Sequence, residues 1–410
     1  MEIGTKSITD RYFLIWALFI PITSILLIPS VQGSLPSYGL AFLSFVLVLA
    51  MIKNKKRYFY DLFIISFIFF LVTLTSQLIN TMVNLPSFEN LTLVEEANPA
   101  TTILRSSYFT QSLYFFVGIL TFVFIKNFYK EEWVKYIFVS INIFAVYALY
   151  EFVYYLVFNS YGDFLSNRSF GTHDTIALGN QLMTISSVTF QRINGLTQEP
   201  SMFAFVVLPF WVYAWSLKKK KTFALLTTVL LLSTSSTAII GIVLGLFSLI
   251  KRSNKLLLFF LLGFIALATL LFWNEVYMLL DRIILDKLQQ SNESGRSRSM
   301  SFENHMEYYF SLNFLSALFG IGFGYVRSSD LFSTFLVNTG LVGFVLFTIL
   351  YLIPILKLKK SRENLGIKLA LIIIYVTMMV SVPEYSYLSS WLFLGIAYYK
   401  LSQQKLAFCF

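Results

Sequence analysis

The sequence predicts an all-α fold: a polytopic membrane bundle of about twelve helical segments, one integral domain over residues 1–410. Three observations carry that expectation. Of the 410 residues, 57% are apolar and only 13% charged, with mean hydropathy +0.71, whereas a soluble domain is about half apolar and about a quarter charged. Aromatic side chains make up 18%, and 44 of them are Phe, which suits rings set against lipid and at its interfaces. Apolar runs also recur at close to the roughly 20 residues that a helix needs to cross a bilayer. The net charge of +10 therefore belongs to the loops of a membrane protein, and no nucleic acid is expected as a partner. A single cysteine, Cys409, allows no intramolecular disulfide, and two histidines make a His/Cys zinc site improbable.

Taken in order, the first apolar stretch runs from Tyr12 to about Pro29. It is too long for a signal core and has no small-residue cleavage pattern, so it is expected to be the first span. Further segments fall near 38–52, 59–80, 107–125, 136–158, 201–216, 256–273, 332–355, 369–383 and 387–399. The stretch 222–250 decides the topology. Both flanks are basic, Lys218 to Lys221 before it and Lys251, Arg252 and Lys255 after it, so the positive-inside rule wants both ends on the cytoplasmic side. At about 1.5 Å per residue the stretch reaches only about 44 Å, short of the roughly 60 Å that two full crossings need. The chain must turn back early, and Ser233-Thr234-Ser235-Ser236-Thr237 supplies hydroxyls for backbone groups freed by a turn at membrane depth. With that hairpin, both termini are cytoplasmic and most of the 31 Lys and Arg fall inside. A single crossing would move ten cations out and only five in. Two long external loops result, 159–200 and 274–331.

The cations left outside are Arg105, Arg168, Arg192, Arg282, Lys287, Arg296, Arg298 and Arg327. All but one are Arg, whereas the cytoplasmic loops are mostly Lys. A planar guanidinium forks onto phosphate oxygens and is weakly hydrated, which suits a diphosphate at a membrane surface. Arg192, Arg296 and Arg298 are the first candidates for that role, with Arg168 and Arg327 behind them. Pairing with acids in the same loops is the competing explanation for any one of them.

The first loop ends in Arg192-Ile-Asn-Gly-Leu-Thr-Gln-Glu-Pro-Ser201. Pro200 fits the first turn of a helix and Glu199 its N-terminal dipole; a carboxylate at the mouth of a helix bundle equally suits proton transfer or sugar-hydroxyl binding. In the second loop, Val276, Leu279, Leu280, Ile283, Ile284 and Leu288 recur at helical spacing, predicting an interfacial helix over 275–290. A polar turn over 290–295 and a second amphipathic stretch near 302–318 follow, the latter with Glu303, His305 and Glu307. His305 is a candidate proton carrier, against the ordinary alternative of a polar contact. Gly320-Ile-Gly-Phe-Gly324 has no preceding strand to make it a nucleotide loop and is expected to turn the chain tightly. His173 and Asp174 show no partner spacing. No acidic pair of chelating spacing stands in an external loop, which disfavours metal-dependent glycosyl transfer, and no cofactor is expected.

Three stretches together resemble the O-antigen polymerase (Wzy-type) and O-antigen ligase superfamily: Arg192 to Ser201; Leu232-Ser-Thr-Ser-Ser-Thr-Ala238; and Leu318-Phe-Gly-Ile-Gly-Phe-Gly324 leading to Asn338-Thr-Gly-Leu-Val-Gly343. The resemblance implies a bundle similar to C-type glycosyltransferases in a bacterial inner membrane. It implies an enzyme that joins polyprenyl-diphosphate-linked oligosaccharide units into a surface polysaccharide on the external face, working beside a flippase and a chain-length regulator. Ligases of the superfamily often carry a His-Asn pair eleven residues before the glycine that is here Gly340, where this chain has Ser329-Asp330. That departure favours polymerase over ligase and makes Asp330 a reserve candidate for the base, behind Glu199 and His305. A Ser-Arg-Gly-Ala pattern common in the family is here Ser235-Ser236-Thr237-Ala238. A lipid-linked oligosaccharide flippase is the rival class, although repeated halves expected of a transporter are not evident.

Overall fold

The computed structural model describes residues 8–29, 31, 33–53, 55–96, 101–165, 182–185, 188–250 and 293–406. These residues are mostly helical, in the order α1 (Ile8–Phe19), α2 (Pro36–Met51), α3 (Lys56–Met82), α4 (Ser106–Phe128), α5 (Val134–Phe158), α6 (Pro200–Ser216), α7 (Lys220–Leu232), α8 (Ser236–Ile250), α9 (Glu293–Ser311), α10 (Phe314–Phe319), α11 (Leu331–Lys357), α12 (Arg362–Val380) and α13 (Leu388–Leu406). Between α5 and α6 lies one antiparallel ribbon, β1 (Leu182–Ile185) paired with β2 (Val188–Gln191). By length and composition, α3, α4, α5 with the turn that precedes it, α11 and α12 can each cross a membrane, and α2, α6 and the first part of α8 are shorter apolar helices. Large apolar side chains point outward along α3, among them Phe63, Phe67, Leu71 and Leu78, a face that water would not tolerate and lipid would. These features mark a multi-pass membrane protein.

Two expectations need correction. The apolar stretch 12–29 is helical only as far as Phe19, because Pro21 has no N–H to continue the ladder and its ring clashes with the preceding turn. Beyond it the described residues up to Leu35 are in no helix, and the Thr23 N–H donates to the Leu196 carbonyl at 3.1 Å. Of the polar turn expected over 290–295, residues 293–295 instead open α9, and 290–292 lie outside the described residues. The expected segments 256–273 and 275–290 lie outside the described residues.

The core is built around α6. Met202 to Ala214 are buried without interruption, as a helix apolar on all sides must be. The break in 222–250 falls where the hydroxyl-rich run placed it: α7 ends at Leu232, Thr234 takes a left-handed φ of 46°, and α8 starts at Ser236. Neighbours along α6 give the direction of each half. Phe223 and Thr227 of α7 meet Trp211; then in α8 Gly241 lies under Leu208 and Gly245 under Trp211. The chain climbs beside α6, turns near its N-terminus and descends again, with glycines permitting the close approach. Reporters fused after Lys219 and after Ile250 are therefore expected to read the same side of the membrane, and opposite readings would mean that α8 runs on instead of returning.

At one end of the bundle, salt bridges join Lys130 to Asp10, Lys126 to Asp61, and Lys400 to both Glu131 and Glu363. At the other, the glycine-rich turn packs backbone to backbone on a break inside α11. Gly340 has φ 64° and ψ −172° there, and a Cβ on it would lie 2.3 Å from the Leu318 carbonyl carbon. Gly320, Gly322 and Gly324 all have positive φ, so the expected tight turn is present. Asn338 clamps it, donating to Val326 O at 2.7 Å and accepting from Val326 N at 3.0 Å.

Candidate functional site

Five segments distant in sequence meet where α6 and α11 begin. Arg192, just after β2, reaches over the turn between α7 and α8: its Nε donates to Thr234 Oγ1 at 2.9 Å and its Nη2 to Thr234 O at 3.0 Å. A left-handed backbone is costly for a β-branched residue, and the guanidinium offsets that cost by fixing both oxygens. The next residues of the hairpin carry the contact onward, Thr237 Oγ1 lying 2.9 Å from Ser381 Oγ at the end of α12. From α9, Arg298 Nη1 donates to Ser381 O at 3.3 Å. Arg298 also lines an open cavity of about 530 Å³ with Phe302, Glu303, Ser329, Asp330 and Phe332.

Charge ties these segments together. Burial lowers the Arg192 pKa to about 10; Glu199 works against the fall and Arg298 adds to it. Arg327 is ion-paired with Glu384 in the short connection between α12 and α13. Glu384 raises its pKa, burial opposes the rise, and Tyr387, Tyr385 and Glu199 reinforce it. Three guanidinium groups and two carboxylates thus share one electrostatic neighbourhood. Tyr385 and Tyr387 pack beneath it, the first donating to Gln111 Oε1 at 2.6 Å and the second contacting Met202 Sδ at 3.0 Å.

The three acid–base candidates are placed very differently. Glu199 occupies the N-cap position of α6 with extended backbone, yet its side chain accepts no capping hydrogen bond; Oε2 instead accepts from Ser201 Oγ at 3.0 Å. Asp330 is a true N-cap. It accepts from Ser333 N and Ser333 Oγ, both at 2.8 Å, and from Ser328 Oγ at 3.1 Å. His305 is 0% exposed. Its Nδ1 sits 2.7 Å from Ser301 O, and Nε2 is buried without a hydrogen bond among the described residues. Burial pushes the His305 pKa down, against the backbone hydrogen bond and the nearby Asp330. A neutral imidazole enclosed in this way is poorly placed to exchange protons with a substrate.

Among the remaining cations, Arg296 is exposed and, two residues before Arg298 on α9, points to a different face of that helix, and Arg105 is a structural residue, donating to the carbonyls of Thr101 and Glu95 and lying over the Tyr325 ring. Arg168, Arg282, Lys287, His173 and Asp174 lie outside the described residues. Sequence patterns did not single out Glu384, Ser381 or the tyrosines. Glu384 carried a usable sign, being the one acid between Glu363 and the end of the sequence and lying between two apolar runs, where an ionisable group is by default a functional candidate. No family model, curated protein or solved structure matches the chain.

Because Asp330 is buried and capping, Asp330→Ala is expected to destabilise the protein by about 1–2 kcal/mol. Asp330→Asn, which still accepts from the Ser333 N–H, should restore most of that loss. Thermal unfolding in detergent measures both, and equal destabilisation by the two would show that the charge, not the cap, matters.

Proposed function

We propose that the chain is a polysaccharide polymerase of the O-antigen polymerase type. It takes polyprenyl-diphosphate-linked oligosaccharide as both donor and acceptor at the end of the bundle where α6 and α11 begin, here assigned to the external face of a bacterial inner membrane. About twelve helical segments, cytoplasmic termini and cooperation with a flippase and a chain-length regulator belong to the same proposal. The observation that carries it is the meeting of Arg192 and Arg298, about a hundred residues apart in sequence, around the hairpin turn and beside Glu199.

The chemistry follows from that arrangement. The acceptor hydroxyl oxygen attacks the anomeric carbon of the donor, its proton passes to the Glu199 carboxylate, and the bond from that carbon to the diphosphate oxygen breaks. Negative charge grows on the departing lipid diphosphate, where guanidinium groups stabilise it. The N-terminus of α6, which has no side-chain capping hydrogen bond, favours an anion there as well. Burial disfavours the charged form of Arg192, so a diphosphate would restore what desolvation removes. Arg298 and Arg192 are assigned to the diphosphate, with Arg296, on another face of α9, and Arg168 behind them; Arg327 holds Glu384 and is assigned a positioning role.

Deleting the gene and resolving the surface polysaccharide on a gel tests the assignment. Loss of the length ladder with one unit still attached is the expected result. Loss of every attached unit would instead identify a ligase or a flippase.

A further inference from the structure

At the opposite end of the bundle lies a second cavity, of about 430 Å³, which the proposed reaction does not use. Trp215, Lys218, Lys219, Lys220, Phe223 and Arg362 form its walls. None of the described residues lining it is acidic; the nearest carboxylate in sequence, Glu363, is engaged by Tyr213 at 3.0 Å and Lys400 at 2.9 Å. Four cations line one concavity, and an anion entering it would be attracted by all of them. The site is also shaped. The Arg362 guanidinium is stacked over the Trp215 ring at 5.5 Å, which holds its fork in place.

The backbone adds an independent sign. Between α6 and α7 the Lys219 N–H donates to Ala214 O at 2.9 Å and the Lys218 N–H to Trp215 O at 3.0 Å, and Lys218 has φ 58°. This helix-ending turn places its left-handed position at Lys218, where glycine is the residue that folds at least cost. A lysine there sacrifices stability and puts a cation on the cavity rim. The outward face of α7 above the cavity, Ala224, Thr228 and Leu231, is exposed, and its one hydroxyl is turned back onto the Ala224 carbonyl at 3.1 Å. A ligand held here by its anionic group therefore has an apolar surface on which to lay acyl chains.

We propose that this cavity binds the phosphate of an anionic phospholipid headgroup, with the acyl chains against α7. The assignment is independent of the reaction at the other end. Juxtamembrane cations attract anionic lipid by about 1 kcal/mol each, so three of them acting together amount to on the order of 100-fold in affinity.

The full-length protein in neutral detergent is the material for the test, with retention of added phosphatidylglycerol against phosphatidylcholine read by native mass spectrometry. Wild type should retain phosphatidylglycerol selectively. Lys219→Gln/Lys220→Gln/Arg362→Gln should weaken that retention on the order of 100-fold. Lys218→Gly should weaken it roughly fivefold while its unfolding temperature in phosphatidylcholine is unchanged or higher, because glycine suits the turn. A control at the same end, Lys53→Gln/Lys55→Gln/Lys56→Gln, should leave retention intact. Equal loss in the control would mean diffuse positive charge and overturn the site. Displacement of phosphatidylglycerol by an equal concentration of sn-glycerol 3-phosphate would make it a soluble-phosphate site and overturn the lipid assignment, and undiminished retention in both cavity variants would overturn it outright.

Discussion

Glu199→Gln is expected to abolish the polysaccharide ladder, a loss of at least about 100-fold in polymerising activity, with the protein still present in the membrane at its normal level. The amide keeps the volume and can still accept from Ser201 Oγ, so the local structure at the start of α6 should survive. What it removes is a carboxylate that the helix does not use as a hydrogen-bonded cap and that lies within electrostatic reach of Arg192 and Arg327. His305→Gln is expected to leave most of the polymer, since that ring is enclosed and its pKa is lowered by burial. Polymer length on gels and immunoblots of membranes measure both. Full-length polymer from Glu199→Gln together with its loss in His305→Gln would transfer the base to His305. Full-length polymer from both would leave arginine stabilisation of the leaving group as the whole of the catalysis.

The second large effect is expected from Arg298→Lys, on the order of 100-fold although the charge is retained. Lysine offers a point charge on a flexible stem, whereas a diphosphate is held by the two parallel N–H groups of a guanidinium edge. Arg298 suits the test because, among the described residues, its guanidinium makes one hydrogen bond, at 3.3 Å to the Ser381 carbonyl, while Ser329 Oγ bonds its backbone carbonyl, which the substitution keeps. Arg192→Lys combines the same loss with loosening of the turn at Thr234, and should lower unfolding temperature as well as activity. Membrane insertion checked by immunoblot separates the two. Normal chain length from Arg→Lys and Arg→Ala at 192, 296 and 298 would sink the diphosphate assignment.

Patterning determined the helical class, most of the apolar helices and the interruption in 222–250, because each of these depends on residues adjacent in the chain. Basic flanks and too few residues for two crossings force a turn wherever hydroxyls can satisfy the freed backbone, and the turn is at Ser233–Ser235. The glycines of 320–324 were equally legible as a turn, since positive φ is a local property. The irregular course after Phe19 is the exception, and Pro21 was there to be read. What only the tertiary structure decided is how each charged side chain is used. Glu199 and Asp330 both precede a helix and look alike in sequence, yet the Asp330 carboxylate is consumed by its helix and that of Glu199 is not, because Ser333 and Ser328 converge on Asp330 while Glu199 accepts from Ser201. Arg105 and Arg192 both fall in loops that the charge pattern assigns to the external side, but burial among carbonyls makes the first structural. Glu384 joins Arg327 across 57 residues. Local sequence sets the period and the breaks of the helices; the environment that decides whether a charge is a cap, a partner or a reactive group is made of segments that meet only when the bundle closes.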